Sequence, residues 1–170
     1  MRVGSSPIHA FGLFWEREEV HWFPGRGNRF RLLGRRGTNS GTIQMVDFRD
    51  QRGIYILYTN HGPYYVGLAR SRSLGDRLKD HLADDYDNWV RFSWFGFRQI
   101  LKSVDEDGLQ KLRHMPVHRP ISPHTVIKEM EALLIKAMAL NNRADSKFVT
   151  AKEWQQVTRD QQDRLLERLA

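Results

Sequence analysis

Residues 53–81 read GIYILYTNHGPYYVGLARSRSLGDRLKDH and decide the architecture of the chain. Two strand-like runs, at residues 54–59 and 64–68, flank the turn-forming residues 60–63, which predicts a β-hairpin. The segment from about Ser73 to Ala83 repeats leucine every fourth residue and so predicts a helix. Two phenols, a fixed cation and an imidazole on one surface suit a phosphate-bearing substrate. The hairpin and the helix supply them as Tyr55, Tyr65, Arg77 and His81.

The whole chain has the composition of a basic globular protein. Its 170 residues favour one main domain with a sizeable core. Its 27 lysines and arginines outnumber its 20 acidic residues, so the formal net charge is +7. Such a chain is a candidate for binding nucleic acid or another polyanion, although charge alone is equally compatible with an ordinary basic protein.

Two absences in the sequence exclude classes of protein. There are no cysteines, which excludes disulfides, thiolate metal sites and cysteine nucleophiles. No apolar run is long enough for a signal peptide or a membrane span. We therefore expect a cytoplasmic protein with no membrane partner.

The first 50 residues predict a loose arm followed by a basic, β-rich extension. The arm covers residues 1–12, and glycine-rich turns at residues 24–27 and 34–37 punctuate the extension. Strands are predicted at residues 20–23, 29–33 and 42–46. The segment is crowded by Arg26, Arg29, Arg31, Arg35 and Arg36. These arginines either contact nucleic-acid phosphates or form a solvated outer face.

The second half predicts a strand, a polar hairpin and two helices. The strand covers residues 91–97, and its aromatic side chains are assigned to the core rather than to base stacking. A hairpin is centred on Asp107-Gly108. A long helix follows Ser122, with Pro123 at its first position. Its predicted buried stripe is Val126, Met130, Leu133, Leu134, Ala137 and Met138. A capping box at residues 150–153 predicts the start of a last helix.

The order of these residues resembles the GIY-YIG nuclease superfamily. The motif Gly53-Ile54-Tyr55 is followed by Tyr65-Val66-Gly67, then by Arg77 and Glu131, in the family's order. Residues 131–136, EALLIK, are similar to the family's glutamate segment. The similar region covers about residues 53–142, and no such resemblance covers residues 1–50 or the last helix. Leu68 stands where many members carry a lysine, which leaves the general base open.

The resemblance implies a metal-dependent endonuclease that hydrolyses DNA phosphodiester bonds. Under it, Glu131 holds a single Mg²⁺ or Mn²⁺ ion, because these ions prefer carboxylate, water and phosphate oxygens. Arg77 stays protonated and forks onto two phosphate oxygens. Tyr55 or His81 takes a proton from the attacking water, and Tyr65 orients the phosphate or that water.

Two of the implied site residues have plain structural alternatives. His81 is either part of the site or a histidine on the helix surface. Asn142 matches the family's asparagine after the glutamate helix, but Asn141 is adjacent and a C-capping role explains either residue equally well. Nucleic-acid contacts beyond the active site are predicted for Arg29, Arg31, Arg35, Arg70, Arg72 and Lys79.

Taken together, the patterns predict an α/β fold in which a small antiparallel sheet is flanked by helices and preceded by the β-rich extension. We expect the extension at residues 1–50, a nuclease-like core at 51–145 with an insertion at about 99–120, and a C-terminal helix within 146–170 that packs on the core. We expect such a nuclease to act in restriction or defence, in a mobile element, or in repair. The alternatives are a catalytically silent nucleic-acid-binding module and a ribonuclease. The oligomeric state stays open.

Overall fold

The computed structural model describes residues 6–27, 29–37, 43–84, 89–114 and 120–169. These residues form a mixed α/β fold with two small five-stranded sheets and three α-helices. The strands are β1 (Ala10–Glu16), β2 (Leu33–Arg36), β3 (Gln44–Asp47), β4 (Gly53–Thr59), β5 (Gly62–Ala69), β6 (Arg91–Gly96), β7 (Ile100–Val104), β8 (Gln110–Leu112), β9 (Lys152–Glu153) and β10 (Gln155–Gln156). The helices are α1 (Leu74–Asp80), α2 (Pro123–Ala137) and α3 (Arg159–Leu169).

The first sheet has the strand order β5-β4-β6-β1-β9, and β4 pairs antiparallel with both neighbours. Gly53 begins β4 with a φ of 151°. A Cβ at this position would lie 1.9 Å from the carbonyl oxygen of Phe95, so only glycine lets β4 and β6 pair here. Because side chains alternate along a strand, Tyr55 and Leu57 project from one face of this sheet and Ile56 from the other.

The second sheet has the order β10-β2-β3-β8-β7, and an aromatic core joins the two sheets. The ring centroids of Phe48 and Trp94 lie 4.3 Å apart. Trp15 packs edge-on against Trp94 at 5.4 Å, and Trp154 packs against Phe48 at 5.3 Å. Such pairs contribute about 0.5–1.5 kcal/mol each beyond burial of their area. The core therefore fixes the strands on which the candidate site is built.

Several local predictions are confirmed. The hairpin around residues 60–63 forms between β4 and β5, and Ser73 caps α1 by accepting a hydrogen bond from the Asp76 amide. Ser122 caps α2 in the same way, with Pro123 in its first turn. The polar hairpin around Asp107-Gly108 is formed by β7 and β8. The aromatic residues of β6 are buried in the core.

The predictions for the first 50 residues are wrong in part. Residues 10–12, assigned to a loose arm, begin β1, which pairs with β6 inside the first sheet. Strands are absent from residues 20–23 and 29–32, and the predicted turn at 34–37 is largely strand β2 (Leu33–Arg36). This strand requires glycine at position 34, because a Cβ there would lie 2.6 Å from the ring of Phe48. Residues 1–5 and Thr42 lie outside the described residues.

The predicted start of the last helix is also wrong, because α3 begins at Arg159. The segment with the capping-box pattern forms β9 and β10 instead, which pair with β1 and β2. Trp154 lies between these two short strands and is only 3% exposed. Burial of this large side chain between the sheets outweighs the local helical signal. The helix α3 then packs its Leu165 against Leu33 and Met45.

Helix α2 presents a different face to the sheet from the one predicted. Ala132 and Ile135 are buried, whereas Met130, Leu134 and Met138 are more than half exposed. The small Ala132 and Ala137 let the helix approach the sheet closely, and the Tyr58 hydroxyl donates to the Ala137 carbonyl at 2.5 Å. Glu129 is buried on the same face, where Ser6 donates to its carboxylate at 2.5 Å. The predicted stripe is therefore mostly exposed.

In the part of the chain that the structure describes, no helix is both long and apolar enough to cross a membrane.

Candidate active site

Tyr55 is the centre of a cluster of polar side chains on one face of the first sheet. It projects from β4, and its residue surface is fully buried. Gly67 on β5 lies directly opposite it in the register. A Cβ at Gly67 would lie 2.2 Å from the Tyr55 hydroxyl oxygen, so the glycine makes room for the phenol. The second motif glycine therefore positions a residue of the first motif.

A row of hydrogen bonds connects Tyr55 to His81 and then to Asp84. The Tyr55 hydroxyl lies 2.9 Å from Nε2 of His81, and Nδ1 of His81 lies 2.5 Å from Oδ2 of Asp84. An ionised carboxylate can only accept, so the second contact requires the proton on Nδ1. In a neutral imidazole Nε2 is then an acceptor, and the Tyr55 hydroxyl donates to it. The row thus orients a protonated phenol towards a basic nitrogen.

The backbone and ring of His81 are held from several sides. His81 is the C-terminal cap residue of α1, and its carbonyl accepts a hydrogen bond from the Trp89 indole at 3.0 Å. Its ring packs against Tyr65 with the centroids 4.6 Å apart. Only 10% of its side chain is exposed, against 32% for Asp84. His81 therefore belongs to the cluster and is not a free histidine on the helix surface.

Arg77 extends from α1 to the same cluster. Its Nε is buried, and no hydrogen-bond partner is present for it among the described residues. Burial raises the pKa of Tyr55 to about 12, although the charge and hydrogen bonding of Arg77 act to lower it. Desolvation of the phenolate thus outweighs the attraction of the cation. At neutral pH Tyr55 is a hydrogen-bond donor and not a base.

The structure does not bring Glu131 and Asn142 to this cluster. Glu131 is exposed on α2, and within the described residues its carboxylate makes no hydrogen bond or ion pair. The next residue, Ala132, packs in a cluster with Ile56, on the sheet face opposite Tyr55. Asn142 is exposed and precedes a short 3₁₀ turn, where its backbone carbonyl accepts from the Asp145 amide. Asn142 therefore neither caps the C-terminus of α2 nor lies beside Tyr55.

A metal ion held by Glu131 does not fit this arrangement. An ion bound to a phosphate beside Arg77 and Tyr55 needs its carboxylate ligand on the same side of the sheet. Glu131 lies on the helix that covers the other side. Among residues 6–27, 29–37, 43–84, 89–114 and 120–169, no group of three histidine or acidic side chains is placed to hold a metal ion.

The residues predicted to contact nucleic acid differ in their exposure and in their partners. Arg70 and Arg29 are exposed, and Lys79 lies over the rings of Phe23 and Phe30 at 5.0 and 5.2 Å. Arg72 is ion-paired with Asp80. In the N-terminal half, Arg31 is paired with Asp107 at 2.6 Å, and Arg35 donates to the Gly37 carbonyl at 3.3 Å. Exposed ion pairs are weak, so these cations stay available to a polyanion.

Sequence reasoning missed Asp84. It stands three residues after His81, and this spacing brings side chains together on a helical turn. The sequence prediction ended the helix at about Ala83 and assigned Asp84 no role. The pairing of a histidine with a following aspartate was the available signal.

No family model, curated protein or solved structure matches this chain. The site must therefore be interpreted from its own geometry and from the order of its motifs.

Proposed function

We propose that the protein is a nuclease that hydrolyses phosphodiester bonds of DNA at the Tyr55 cluster. The observation that carries the proposal is the hydrogen-bonded row of Tyr55, His81 and Asp84, with Arg77 and Tyr65 beside it. A general base, a proton relay and a fixed cation are the parts that phosphodiester hydrolysis needs. A cytoplasmic setting is part of the same proposal.

The row can move a proton in one direction during attack by water. The water oxygen forms a bond to phosphorus and gives a proton to the Tyr55 oxygen. At the same time the Tyr55 hydroxyl proton passes to Nε2 of His81, and the bond from phosphorus to the leaving oxygen breaks. The leaving alkoxide takes a proton from solvent water, and the imidazolium of His81 later returns its proton to solvent. Asp84 stabilises the imidazolium that results, as a carboxylate does in other base-orienting triads. His81 is the base in this scheme, because the raised pKa of Tyr55 keeps its phenol protonated.

Arg77 is suited to hold the phosphate. A guanidinium stays charged and presents several donors in a plane, which matches two phosphate oxygens. Its buried Nε has no partner in the described protein, so a bound oxygen would satisfy it. Tyr65 packs on both His81 and Tyr55 and can orient the same phosphate or the water.

The order of elements supports a GIY-YIG-like assignment for the core. A hairpin with both motifs, a helix with Arg77, a third strand and a helix with Glu131 follow one another as the resemblance requires. The family's metal ion would supply charge neutralisation at the phosphate. Glu131 does not fit as its ligand at the Tyr55 cluster, so the requirement for Mg²⁺ or Mn²⁺ rests on the resemblance alone.

The position of Glu131 favours a second candidate, a catalytically silent module that binds nucleic acid. Such a module would keep the phosphate-binding Arg77 and the basic surface without a ligand for the metal. The row from Tyr55 to Asp84 argues against it, because phosphate binding alone needs no buried base with an orienting carboxylate.

The test is cleavage of plasmid DNA by the purified protein with Mg²⁺, Mn²⁺ or EDTA, and with an RNA substrate in parallel. We expect cleavage of DNA that Tyr55→Phe abolishes. Tyr58→Phe is the matched control, because Tyr58 is a buried tyrosine on the same strand whose hydroxyl bonds to α2 instead. DNA binding without cleavage under every condition would favour the silent module, and cleavage of RNA alone would identify a ribonuclease.

The same assay decides the role of Glu131. The resemblance predicts that Glu131→Gln abolishes cleavage, whereas the exposed position of the side chain predicts that cleavage survives. Loss of cleavage in a folded variant that still binds DNA would show that α2 is arranged differently in the active complex.

A further inference from the structure

A pocket at one end of the first sheet is distinct from the Tyr55 cluster. It has a volume of about 550 Å³, which is within the range of small-ligand sites. Ile54, Leu68 and Phe97 form its apolar wall. Ile54 and Leu68 are paired in the register and project from the sheet face opposite Tyr55.

Three arginines meet at this pocket because three strands end there. Gly53 is in register with Ala69 on one side and with Gly96 on the other. Arg52 therefore precedes β4, Arg70 follows β5 and Arg98 follows β6 at the same edge of the sheet. All three line the pocket together with His114, and none of the described lining residues is acidic. We call this site the strand-end pocket.

Arg52 and Arg98 of the strand-end pocket repel each other, although the charge of Asp50 acts against this repulsion at Arg98. Arg98 is only 9% exposed, and its side chain donates to the carbonyls of Arg113 and Asp50, both at 2.6 Å. Burial and the charge of nearby Arg52 lower the pKa of Arg98. Nη1 of Arg52 is buried, and the described residues offer it no hydrogen-bond partner. A bound anion would satisfy this donor and offset the repulsion.

We propose that the strand-end pocket binds a nucleoside monophosphate unit. Its phosphate would lie against Arg52 and Arg70, and its base against the apolar wall that includes the ring of Phe97. An inorganic anion would leave that wall uncovered, and an apolar ligand would leave the cations unpaired. Arginine donors together with an aromatic ring are a common means of recognising nucleotides. This proposal does not depend on the nuclease proposal, because Tyr55 lies on the other face of the sheet.

The test measures binding by calorimetry to Tyr55→Phe protein, so that the ligand is not cleaved. The probes are deoxyadenosine monophosphate, deoxyadenosine, inorganic phosphate and a short DNA strand without terminal phosphates. We expect the monophosphate to bind at least about tenfold more tightly than deoxyadenosine or phosphate, because only it contacts both the cations and the wall. Displacement of the monophosphate by the strand would identify a unit of nucleic acid as the ligand; failure to displace it would identify a free nucleotide.

Two variants and one control make the result specific to the pocket. Arg52→Gln and Arg70→Gln should each weaken monophosphate binding about tenfold. Arg70 is exposed, so its substitution tests the pocket even if Arg52→Gln fails to fold. Lys102→Gln removes an exposed charge from β7, outside the pocket lining, and should change nothing. Equal affinity for phosphate and monophosphate, no binding at all, or binding that both arginine variants retain would overturn the proposal.

Discussion

The hydroxyl of Tyr55 is hydrogen-bonded to Nε2 of His81 over 2.9 Å. This bond joins a strand to the end of a helix 26 residues later in the chain. It also separates the roles of two residues that the sequence left equivalent as candidate bases. The phenol is buried and stays protonated, so the imidazole is the group that can take a proton.

The first prediction concerns His81 and its carboxylate partner. His81→Ala should lower the cleavage rate by roughly 10²–10⁴-fold, the usual contribution of a general base. Asp84→Asn should cause a smaller loss and shift the pH profile, because the amide no longer fixes the proton on Nδ1. Single-turnover cleavage across pH measures both effects, with DNA binding checked separately. A wild-type pH profile in Asp84→Asn would contradict the positioning role.

The second prediction concerns the titration of Tyr55. Its pKa is raised from 10.0 to about 12 by burial, so the folded protein favours the protonated phenol. The stability that this provides is fully present below pH 10.0 and is lost as the pH rises through about 12. Ultraviolet titration should detect a late phenol that is missing in Tyr55→Phe.

Tyr58 needs its own control in that titration, because burial raises its pKa as well. A Tyr58→Phe protein should keep the late phenol of Tyr55. If all tyrosines of the wild-type protein titrate together near the ordinary value, the burial of Tyr55 is not as described.

The third prediction uses the contact between Gly67 and Tyr55. Gly67→Ala would place a Cβ 2.2 Å from the phenol, so the ring must move. We expect a loss of about 1–3 kcal/mol in the free energy of unfolding and a large loss of cleavage. Val66→Ala is the matched control, since Val66 is 65% exposed on the neighbouring position. Unchanged stability and activity in Gly67→Ala would mean that the Tyr55 ring can move without cost.

Much of the fold could be predicted where local signals and tertiary packing agree. The hairpin of β4 and β5, the caps at Ser73 and Ser122, and strand β6 all have strong local patterns. Predictions failed where long-range packing decided the outcome. Gly34 was interpreted as a turn residue, yet it pairs with Val46 in a strand, and it is glycine because Phe48 leaves no room for a side chain.

The site could be predicted in part for the same reason. Tyr55, Tyr65, Arg77 and His81 lie on adjacent elements whose relative position follows from a hairpin and the next helix. Glu131 belongs to a helix that is distant in sequence. The face that α2 turns towards the sheet depends on how its side chains pack against the sheet residues. The helix buries Ala132 and Ile135, which the predicted stripe omitted, and leaves Met130, Leu134 and Met138 exposed.

The fourth prediction concerns the geometry of Arg77. Arg77→Lys keeps the charge but removes the planar donors and the buried Nε. We expect a loss of roughly 10²-fold in the cleavage rate, comparable with removal of one transition-state donor, while DNA affinity changes little. Single-turnover rates and equilibrium binding of the same DNA separate the two effects. A rate close to wild type would show that a point charge suffices.

The last prediction concerns the arginines of the N-terminal half. Arg29 is exposed, and the ion pair of Arg31 with Asp107 is weak enough to yield to phosphate. Arg35 donates only to the Gly37 carbonyl. Replacing all three by glutamine should weaken DNA binding and flatten its dependence on salt by up to about 0.9 per lost contact on the log–log slope. Cleavage at saturating protein should survive, because these residues are not in the Tyr55 cluster. Lys152→Gln, an exposed charge on β9, is the control. An unchanged slope in the triple variant would show that this segment faces away from DNA and that its arginines form a solvated surface.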